Sequence, residues 1–176
     1  MITLETPRLH LRQFLPKDAL VFFLLNSDEE VVRYTGDRAF RSVGESLALI
    51  EGYRQYADYG LGRLVMVEKS TGDVIGWCGL KYLADEAEVD IGYRIFKRYW
   101  NQGFTAEAAQ ACLKYGFEEK QLKSIIGRAN ASNIGSIRVF DKLGMTFEKD
   151  DHLDGKPWKL YRISREEWNH LSGNAK

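Results

Sequence analysis

The sequence predicts an α+β fold built on a mixed, mostly antiparallel sheet with helices on its faces. The first observation is the alternation of apolar and polar residues over 88–95, which is typical of a half-buried strand. The second is the helical spacing of apolar residues over 105–119 and 134–143. The third is the order along the chain: strand, helices, three strands, helix, strand, helix and two strands. Such an order favours one central sheet of about seven strands.

The first third of the chain is predicted to hold one strand and several helices. Residues 8–14 alternate between apolar and polar and indicate a half-buried strand. Pro16 opens a short helix, because its fixed φ suits the first helical turn. Two Ser-x-x-Glu pairs, at 27–30 and 42–45, have the spacing of capping boxes and predict two further helix starts. The second of these helices is expected to end near Gly60.

The centre of the chain is predicted to be rich in strands. Residues 63–69, 74–82 and 88–95 favour three antiparallel strands, separated by turns at 70–73 and around Asp85. The remaining predicted elements are helices over 105–119 and 134–143 and strands over 124–129, 145–149 and 158–163.

Composition limits the classes of protein that the chain can represent. Its 176 residues contain 25 Lys and Arg against 25 Asp and Glu, and this zero net charge argues against nucleic acid or a membrane surface as the main partner. Cys78 and Cys112 lie in apolar stretches and indicate buried free thiols. No apolar run resembles a signal peptide or a membrane span, so we expect a cytoplasmic protein. With no repeat or linker, we expect a single domain over residues 1–171 and a short tail over 172–176.

The most informative segment is 93–108, where a strand passes through a short loop into a helix. The first N–H groups of a helix lack internal partners, and the helix dipole adds positive charge there. Gly103 allows close backbone approach, and Lys97 and Arg98 lie just upstream, so the segment predicts a site for phosphate. A glycine before a helix is also common in simple turns, and spacing alone leaves both interpretations open. The segment matches neither a Walker loop nor a dinucleotide fingerprint.

Five short segments, occurring in the expected order, resemble those of the GNAT acetyltransferases. The segments are 6–12, 75–79, 90–93, 100–108 and 130–145. The stretch Trp-Asn-Gln-Gly-Phe-Thr-Ala-Glu-Ala at 100–108 is similar to the pyrophosphate loop of that family. The narrower resemblance is to the Rim-type branch, which includes bacterial N-terminal acetyltransferases of ribosomal proteins.

The resemblance implies a GNAT-like sheet that is splayed at a bulged fourth strand, here 88–95. It also implies acetyl-CoA as a co-substrate, with no metal. The residues implied to contact acetyl-CoA are Ile95, Lys97, Asn101, Gln102, Gly103, Phe104, Thr105, Ala106, Asn133, Ser136 and Phe140. For Asn133, a plain helix N-cap is the alternative interpretation.

Three residues depart from the family pattern. Asn101 stands where glycine is usual, and Thr105 stands where glycine or alanine is usual. Both keep the backbone N–H, so phosphate binding survives if the local φ is negative. Phe140 stands where many family members have a tyrosine that protonates the departing thiolate, and a phenyl ring cannot do this. We therefore predict Ser136 as the proton donor, directly or through water.

The implied reaction also needs a neutral amine, because a protonated amine cannot attack a thioester. A lysine-type amine is mostly protonated at neutral pH, so a base or a water chain must remove a proton. Asp90, Glu88 and Glu107 are the candidate bases in that order, and a route through water alone is equally open. Each carboxylate could instead be solvated or ion-paired. The resemblance places the oxyanion donor at a backbone N–H within 92–95.

The acceptor is predicted only as a primary amine, on a protein N-terminus or on a small molecule. Tyr34, Tyr53 or Trp77 could contact it by a cation–π interaction. A different class of function also remains: an acyl-CoA-binding regulatory module that kept the fold and lost turnover. A homodimer is a further expectation from the resemblance, whereas nucleic acid and membrane are not expected as partners.

Overall fold

The central sheet contains eight strands, one more than the sequence predicts. The computed structural model describes residues 1–173. Its strands are β1 (Thr3–Glu5), β2 (Leu9–Arg12), β3 (Arg63–Glu68), β4 (Val74–Leu83), β5 (Glu88–Ile95), β6 (Ser124–Asn130), β7 (Thr146–Leu153) and β8 (Lys156–Ser164). Its α-helices are α1 (Ala19–Ser27), α2 (Glu29–Val32), α3 (Val43–Glu51), α4 (Gln55–Tyr59), α5 (Phe104–Lys114), α6 (Ile134–Lys142) and α7 (Arg165–Leu171). The additional strand is β1, which is too short for its periodicity to be recognised.

The strands are ordered β1-β2-β3-β4-β5-β6-β8-β7, and every neighbouring pair is antiparallel except β5 and β6. The parallel strands β5 and β6 pair at Asp90 and Ile126, and no further pair joins them within the part of the chain that the structure describes. Both strands run on beyond that pair, so a wedge opens towards their carboxyl ends. The predicted splay of the sheet therefore lies between β5 and β6.

The predicted bulge is not where the sequence analysis places it. β5 keeps a constant register with β4, from Gly76 opposite Ile95 to Leu83 opposite Glu88. This regularity follows from the unbroken alternation of β5, which points every second side chain into the core. Register shifts occur instead between β3 and β4, where Ile75 of β4 is the extra residue, and between β7 and β8, where Glu148 of β7 is the extra residue.

Helices cover both faces of the sheet and bury two apolar clusters. The larger cluster packs α5, α6 and α7 against one face, with Ile91, Ala109, Leu113 and Phe140 among its members. The smaller cluster packs α1 and α3 against the other face around Phe14 and its neighbours. Each fully buried Leu, Ile or Phe side chain stabilises such clusters by about 1.5–3 kcal/mol. The larger cluster fixes α5 and α6 beside the wedge.

Several helix ends differ from the sequence prediction. Ser27 does not cap α2: its hydroxyl donates to the carbonyl oxygen of Phe23, and Asp28 is the N-cap. Ser42 caps α3 as expected, but α3 ends at Glu51 and the separate helix α4 ends before Gly60. Asp28 prevails because its carboxylate accepts from the Glu30 N–H while Ser27 is still inside α1.

The C-terminal helix α7 was not predicted. Ser164 and Glu167 form a capping box at its start, and Trp168 stacks on Phe117 at a ring distance of 5.6 Å. The Ser-x-x-Glu spacing was the available signal. Of the predicted tail over 172–176, the hydroxyl of Ser172 donates to the carbonyl oxygen of Trp168, and residues 174–176 lie outside the described residues. The single domain over 1–171 stays a prediction.

Within residues 1–173, none of the helices combines the length and the apolar character that crossing a membrane requires. The cytoplasmic location stays a prediction.

Candidate functional site

The wedge between β5 and β6 opens into a cavity of about 540 Å³. The cavity lies where the chain leaves β5 towards α5 and leaves β6 towards α6. Its lining residues are 93–95 at the end of β5, 99–101 and 103–106 around the start of α5, 132–136 with Arg138, Val139 and Lys142 around the start of α6, and Glu30, Val31, Tyr34 and Thr35 in and after α2. This edge of a sheet, at the carboxyl ends of parallel strands, is a common place for ligands.

The N-terminus of α5 presents backbone donors to the cavity. Gly103 precedes the helix with φ 81°, a left-handed conformation that glycine adopts without strain, and no side chain caps the helix. The first N–H groups of α5 therefore lack side-chain partners there and can receive an anion, which the helix dipole also favours. Asn101 has φ 59°, so the condition of a negative φ is not met at this position. Asparagine is among the few non-glycine residues that tolerate this region.

Most of the predicted coenzyme contacts line the cavity. These are Ile95, Asn101, Gly103, Phe104, Thr105, Ala106, Asn133 and Ser136.

Lys97, Gln102 and Phe140 do not line it. The Lys97 ammonium lies 3.5 Å from the Glu30 carboxylate, and the Gln102 amide donates to the carbonyl oxygen of Arg98. Phe140 is buried, with its ring 6.0 Å from the ring of Tyr93 and 5.2 Å from that of Tyr161. Phe140 supports the cavity wall from behind.

Asn133 is the N-cap of α6, as the alternative interpretation proposed. Its Oδ1 accepts a hydrogen bond of 3.1 Å from the backbone N–H of Ser136. The cap uses only the oxygen of the amide, and the Nδ2 group carries two N–H groups that can donate to a ligand. Both interpretations of Asn133 are therefore compatible with one geometry.

The predicted carboxylates are engaged in ion pairs. Asp90 lies 2.5 Å from the Arg63 guanidinium, and burial raises the pKa of Asp90 while Arg63 opposes that shift. Glu88 accepts two hydrogen bonds from Arg162, at 2.8 and 3.1 Å. None of Asp90, Glu88 and Glu107 belongs to the cavity lining described above. The role of each as a base stays a prediction.

Glu107 ties the first turn of α5 to the N-terminal segment. Its carboxylate accepts from the Thr6 hydroxyl at 2.6 Å, from the Arg8 backbone N–H at 2.9 Å and from the Arg8 guanidinium at 2.7 Å. Burial acts to raise the pKa of Glu107, but these hydrogen bonds outweigh it and the pKa is lowered. Glu107 thus holds the helix in place in its charged form.

Of the three predicted acceptor contacts, only Tyr34 lines the cavity. Tyr53 packs in the smaller core cluster, where its hydroxyl accepts from the backbone N–H of Arg63. The Trp77 ring lies 5.5 Å from the guanidinium of Arg63 and 5.4 Å from that of Arg94. A cation–π contact of Trp77 is therefore already made within the chain.

Three cationic residues of the cavity were missed by the sequence analysis: Arg94 on β5, whose guanidinium is paired with Asp37, and two residues on α6. Arg138 and Lys142 lie one helical turn apart on α6, and both line the cavity shared with the N-terminus of α5. The i, i+4 spacing of two basic residues on a helix was the signal that could have indicated them. Their charge complements a phosphorylated ligand.

Comparison with known proteins agrees with this geometry. Residues 8–146 match the family model described as an acetyltransferase (GNAT) domain. The chain belongs to the GNAT acetyltransferase family. It is 33% identical over 162 residues to the uncharacterized protein YkkB of Bacillus subtilis, covering 90% of this chain and 93% of that protein. It is 32% identical to p20 of Bacillus licheniformis, named an uncharacterized N-acetyltransferase, covering 87% and 86% of the two chains.

Solved GNAT structures share the architecture. The GNAT acetyltransferase from Bacillus anthracis superposes with a TM-score of 0.82 at 26% identity, covering 94% of this chain and 99% of that one. Spermidine N-acetyltransferase from Vibrio cholerae, in complex with CoA and spermine, superposes with a TM-score of 0.77 at 19% identity, covering 93% and 99%. At that identity the second likeness concerns the fold alone.

These findings confirm the predicted mixed α+β GNAT fold and the prediction that the protein is an N-acetyltransferase. The narrower resemblance to the Rim-type branch stays a prediction.

Proposed function

We propose that this GNAT acetyltransferase takes acetyl-CoA as its donor and acetylates a primary amine by direct attack in a ternary complex. The observation that carries the proposal is the continuous cavity, which joins the uncapped N-terminus of α5 to the end of β5. The end at α5 suits phosphates. The end at β5 presents strand backbone beyond the point where β5 pairs with β6.

The residues present fit the donor. At the phosphate end, the N–H groups of the first turn of α5 face the same cavity as Arg138 and Lys142. Asn133 supplies an amide donor further along the wall. Acetyl-CoA would bring an activated acetyl group held as a thioester.

The backbone of β5 supplies the proposed oxyanion site. Beyond the pair of Asp90 with Ile126, the backbone groups of 92–95 that face β6 pair with no strand in the part of the chain that the structure describes. A backbone N–H there is a preorganised donor for the negative charge that develops on the carbonyl oxygen. For removal of the amine proton, Asp90, Glu88, Glu107 and a water chain remain the proposed routes.

The test is a screen for acetyl transfer by mass spectrometry, with acetyl-CoA and a panel of peptides and small amines. We expect a mass gain of one acetyl group on at least one class of acceptor, with release of free CoA. Binding of acetyl-CoA without transfer to any member of a broad panel would contradict the proposal and favour the regulatory module. A peptide-only or amine-only result decides between a protein N-terminus and a small-molecule acceptor.

A further inference from the structure

The hydroxyl of Tyr93 is held at the inner wall of the cavity. Tyr93 lies on β5, lines the cavity, and donates a hydrogen bond of 3.1 Å to the backbone carbonyl oxygen of Ser136 in the first turn of α6. Its ring packs edge-on against Phe140, whose own ring is buried and bears no polar atom. The hydroxyl thus bridges the two walls that separate at the wedge.

Aminolysis of a thioester requires a proton at the departing sulfur. The amine nitrogen bonds to the carbonyl carbon, the carbon–sulfur bond breaks, and its electron pair remains on sulfur. A phenol that gives its proton to that sulfur produces a neutral thiol, and the proton lost from nitrogen restores the phenol. Atoms and charge balance without an additional reactant.

The other tyrosines of the cavity are less suited to this step. The Tyr99 hydroxyl lies 3.5 Å from the Asp73 carboxylate, and the Tyr34 ring lies 5.5 Å from the Arg33 guanidinium. Among the tyrosines that line the cavity, Tyr93 is the one whose hydroxyl reaches the start of α6. It therefore combines a cavity position with a fixed orientation, which general acid catalysis requires.

We propose that Tyr93, rather than Ser136, donates the proton to the departing CoA thiolate, an inference that rests on the proposed acetyl-CoA-dependent function. The role fits the absence of a phenol at position 140, because the Tyr93 ring contacts that side chain and its hydroxyl occupies the adjacent cavity wall.

The electrostatic surroundings keep Tyr93 protonated. Burial raises the pKa of its hydroxyl, the hydrogen bond with Ser136 opposes the shift, and Cys78 and Asp90 add to it. From the facing elements, Glu30 on α2 and Arg138 and Lys142 on α6 line the same cavity. A phenol that is protonated across neutral pH is available as a donor in every turnover.

The kinetic test replaces the hydroxyl and keeps the ring. For Tyr93→Phe we expect kcat to fall about 100-fold while KM for acetyl-CoA stays within twofold. Tyr161→Phe is the matched control, because this tyrosine also packs on Phe140 but does not line the cavity, and its kcat should be unchanged. A Ser136→Ala variant that loses more kcat than Tyr93→Phe would overturn the assignment, as would a Tyr93→Phe variant with wild-type kcat.

A second readout does not depend on turnover. Replacement of Tyr93 by 3,5-difluorotyrosine keeps the ring and lowers the phenol pKa, and its fluorine resonances report contacts of the hydroxyl. We expect CoA to shift these resonances and desulfo-CoA, which lacks the sulfur, to shift them less. Equal shifts with both ligands would contradict contact with sulfur.

The protein with 3,5-difluorotyrosine at position 93 also tests proton donation, through the dependence of its kcat on pH. Since an acid must be protonated to act, the alkaline fall in kcat should move to lower pH than in the wild type. An unchanged profile would argue against Tyr93 as the acid. A wild-type protein that binds CoA but acetylates nothing would refute the proposed function itself, whereas normal turnover by Tyr93→Phe refutes this inference alone.

Discussion

At the residue scale, carboxylates near the wedge between β5 and β6 are buried or half-buried, and each is paired with an arginine. Asp90 with Arg63 and Glu107 with Arg8 each join segments distant in sequence. Sequence reasoning recognised Asp90 and Glu107 as functional candidates but had no means of finding their partners. The two pairs differ in their effect: burial raises the pKa of Asp90 although Arg63 opposes the shift, whereas the hydrogen bonds from Thr6 and Arg8 outweigh burial and lower the pKa of Glu107, which makes Glu107 the poorer proton acceptor.

Asp90→Asn tests the base hypothesis directly. Because Asp90 is paired with Arg63, we expect the substitution to lower the free energy of unfolding by about 3 kcal/mol, as a buried charge loses its partner. Because Asp90 does not line the cavity, the acetylation rate per folded enzyme, measured against pH, should stay within threefold of wild type across neutral pH. A larger loss of rate, together with a changed dependence of the rate on pH, would support Asp90 as the base.

Glu107→Gln tests how α5 is held. The pKa of Glu107 is lowered in the folded protein by hydrogen bonds from Thr6 and Arg8, so its stabilisation is complete above the unfolded pKa near 4.5 and is lost as pH falls through the folded value. We expect Gln to lower the free energy of unfolding at pH 7 by about 1–2 kcal/mol. Urea denaturation should show the difference shrinking below pH 4. An undiminished difference in acid would contradict the ionic origin.

At the element scale, α5 and α6 carry the donor side of the site. α5 begins without a side-chain cap after Gly103, and α6 follows its N-cap Asn133 and carries the basic residues Arg138 and Lys142. The sequence predicted both helices and the phosphate role of α5, because a strand-loop-helix pattern has a recognisable spacing. It did not predict the role of Arg138 and Lys142, since their position beside α5 depends on packing.

Removing positive charge from α6 tests the phosphate assignment. For Arg138→Ala and for Lys142→Ala we expect KM for acetyl-CoA to rise about tenfold, because each loses a charge-assisted contact, while kcat stays within twofold. Lys114→Ala is the matched control, since Lys114 lies in the last turn of α5 and pairs with Glu118 instead of lining the cavity. A kcat loss with unchanged KM in the α6 variants would place these residues elsewhere in the reaction.

At the scale of the whole molecule, the cavity exists because the sheet separates while helices hold each half. The larger apolar cluster joins β5 and β6 to α5 and α6, and Gly127 on β6 lies directly against the Phe140 ring. A Cβ at Gly127 would lie 2.7 Å from that ring, closer than van der Waals contact permits. The geometry of the cavity wall is therefore coupled to packing on the far side of α6.

Gly127→Ala tests this coupling. We expect the free energy of unfolding to fall by about 1–3 kcal/mol through overpacking, and KM for acetyl-CoA to rise as α6 is displaced. Gly44→Ala is the control: Gly44 lies in α3, and an added Cβ there meets no atom closer than 3.6 Å. Calorimetry and initial rates supply the two measurements. A destabilised Gly127→Ala variant with unchanged KM would show that α6 does not move with Phe140.

The sequence by itself determined the elements whose signals are local: the alternation of β5, the apolar faces of α5 and α6, and the glycine-led entry into α5. It also carried the ordered family motifs, and these were enough to predict the GNAT fold and an acetyltransferase. The tertiary structure decided which side chains share the cavity. In the folded protein Phe140 lies in the core and Asp90 is paired with Arg63, while Tyr93, Arg138 and Lys142 line one cavity. The physical reason is that capping, periodicity and turns act between near neighbours, whereas ion pairs and cavity walls join residues that only folding brings together.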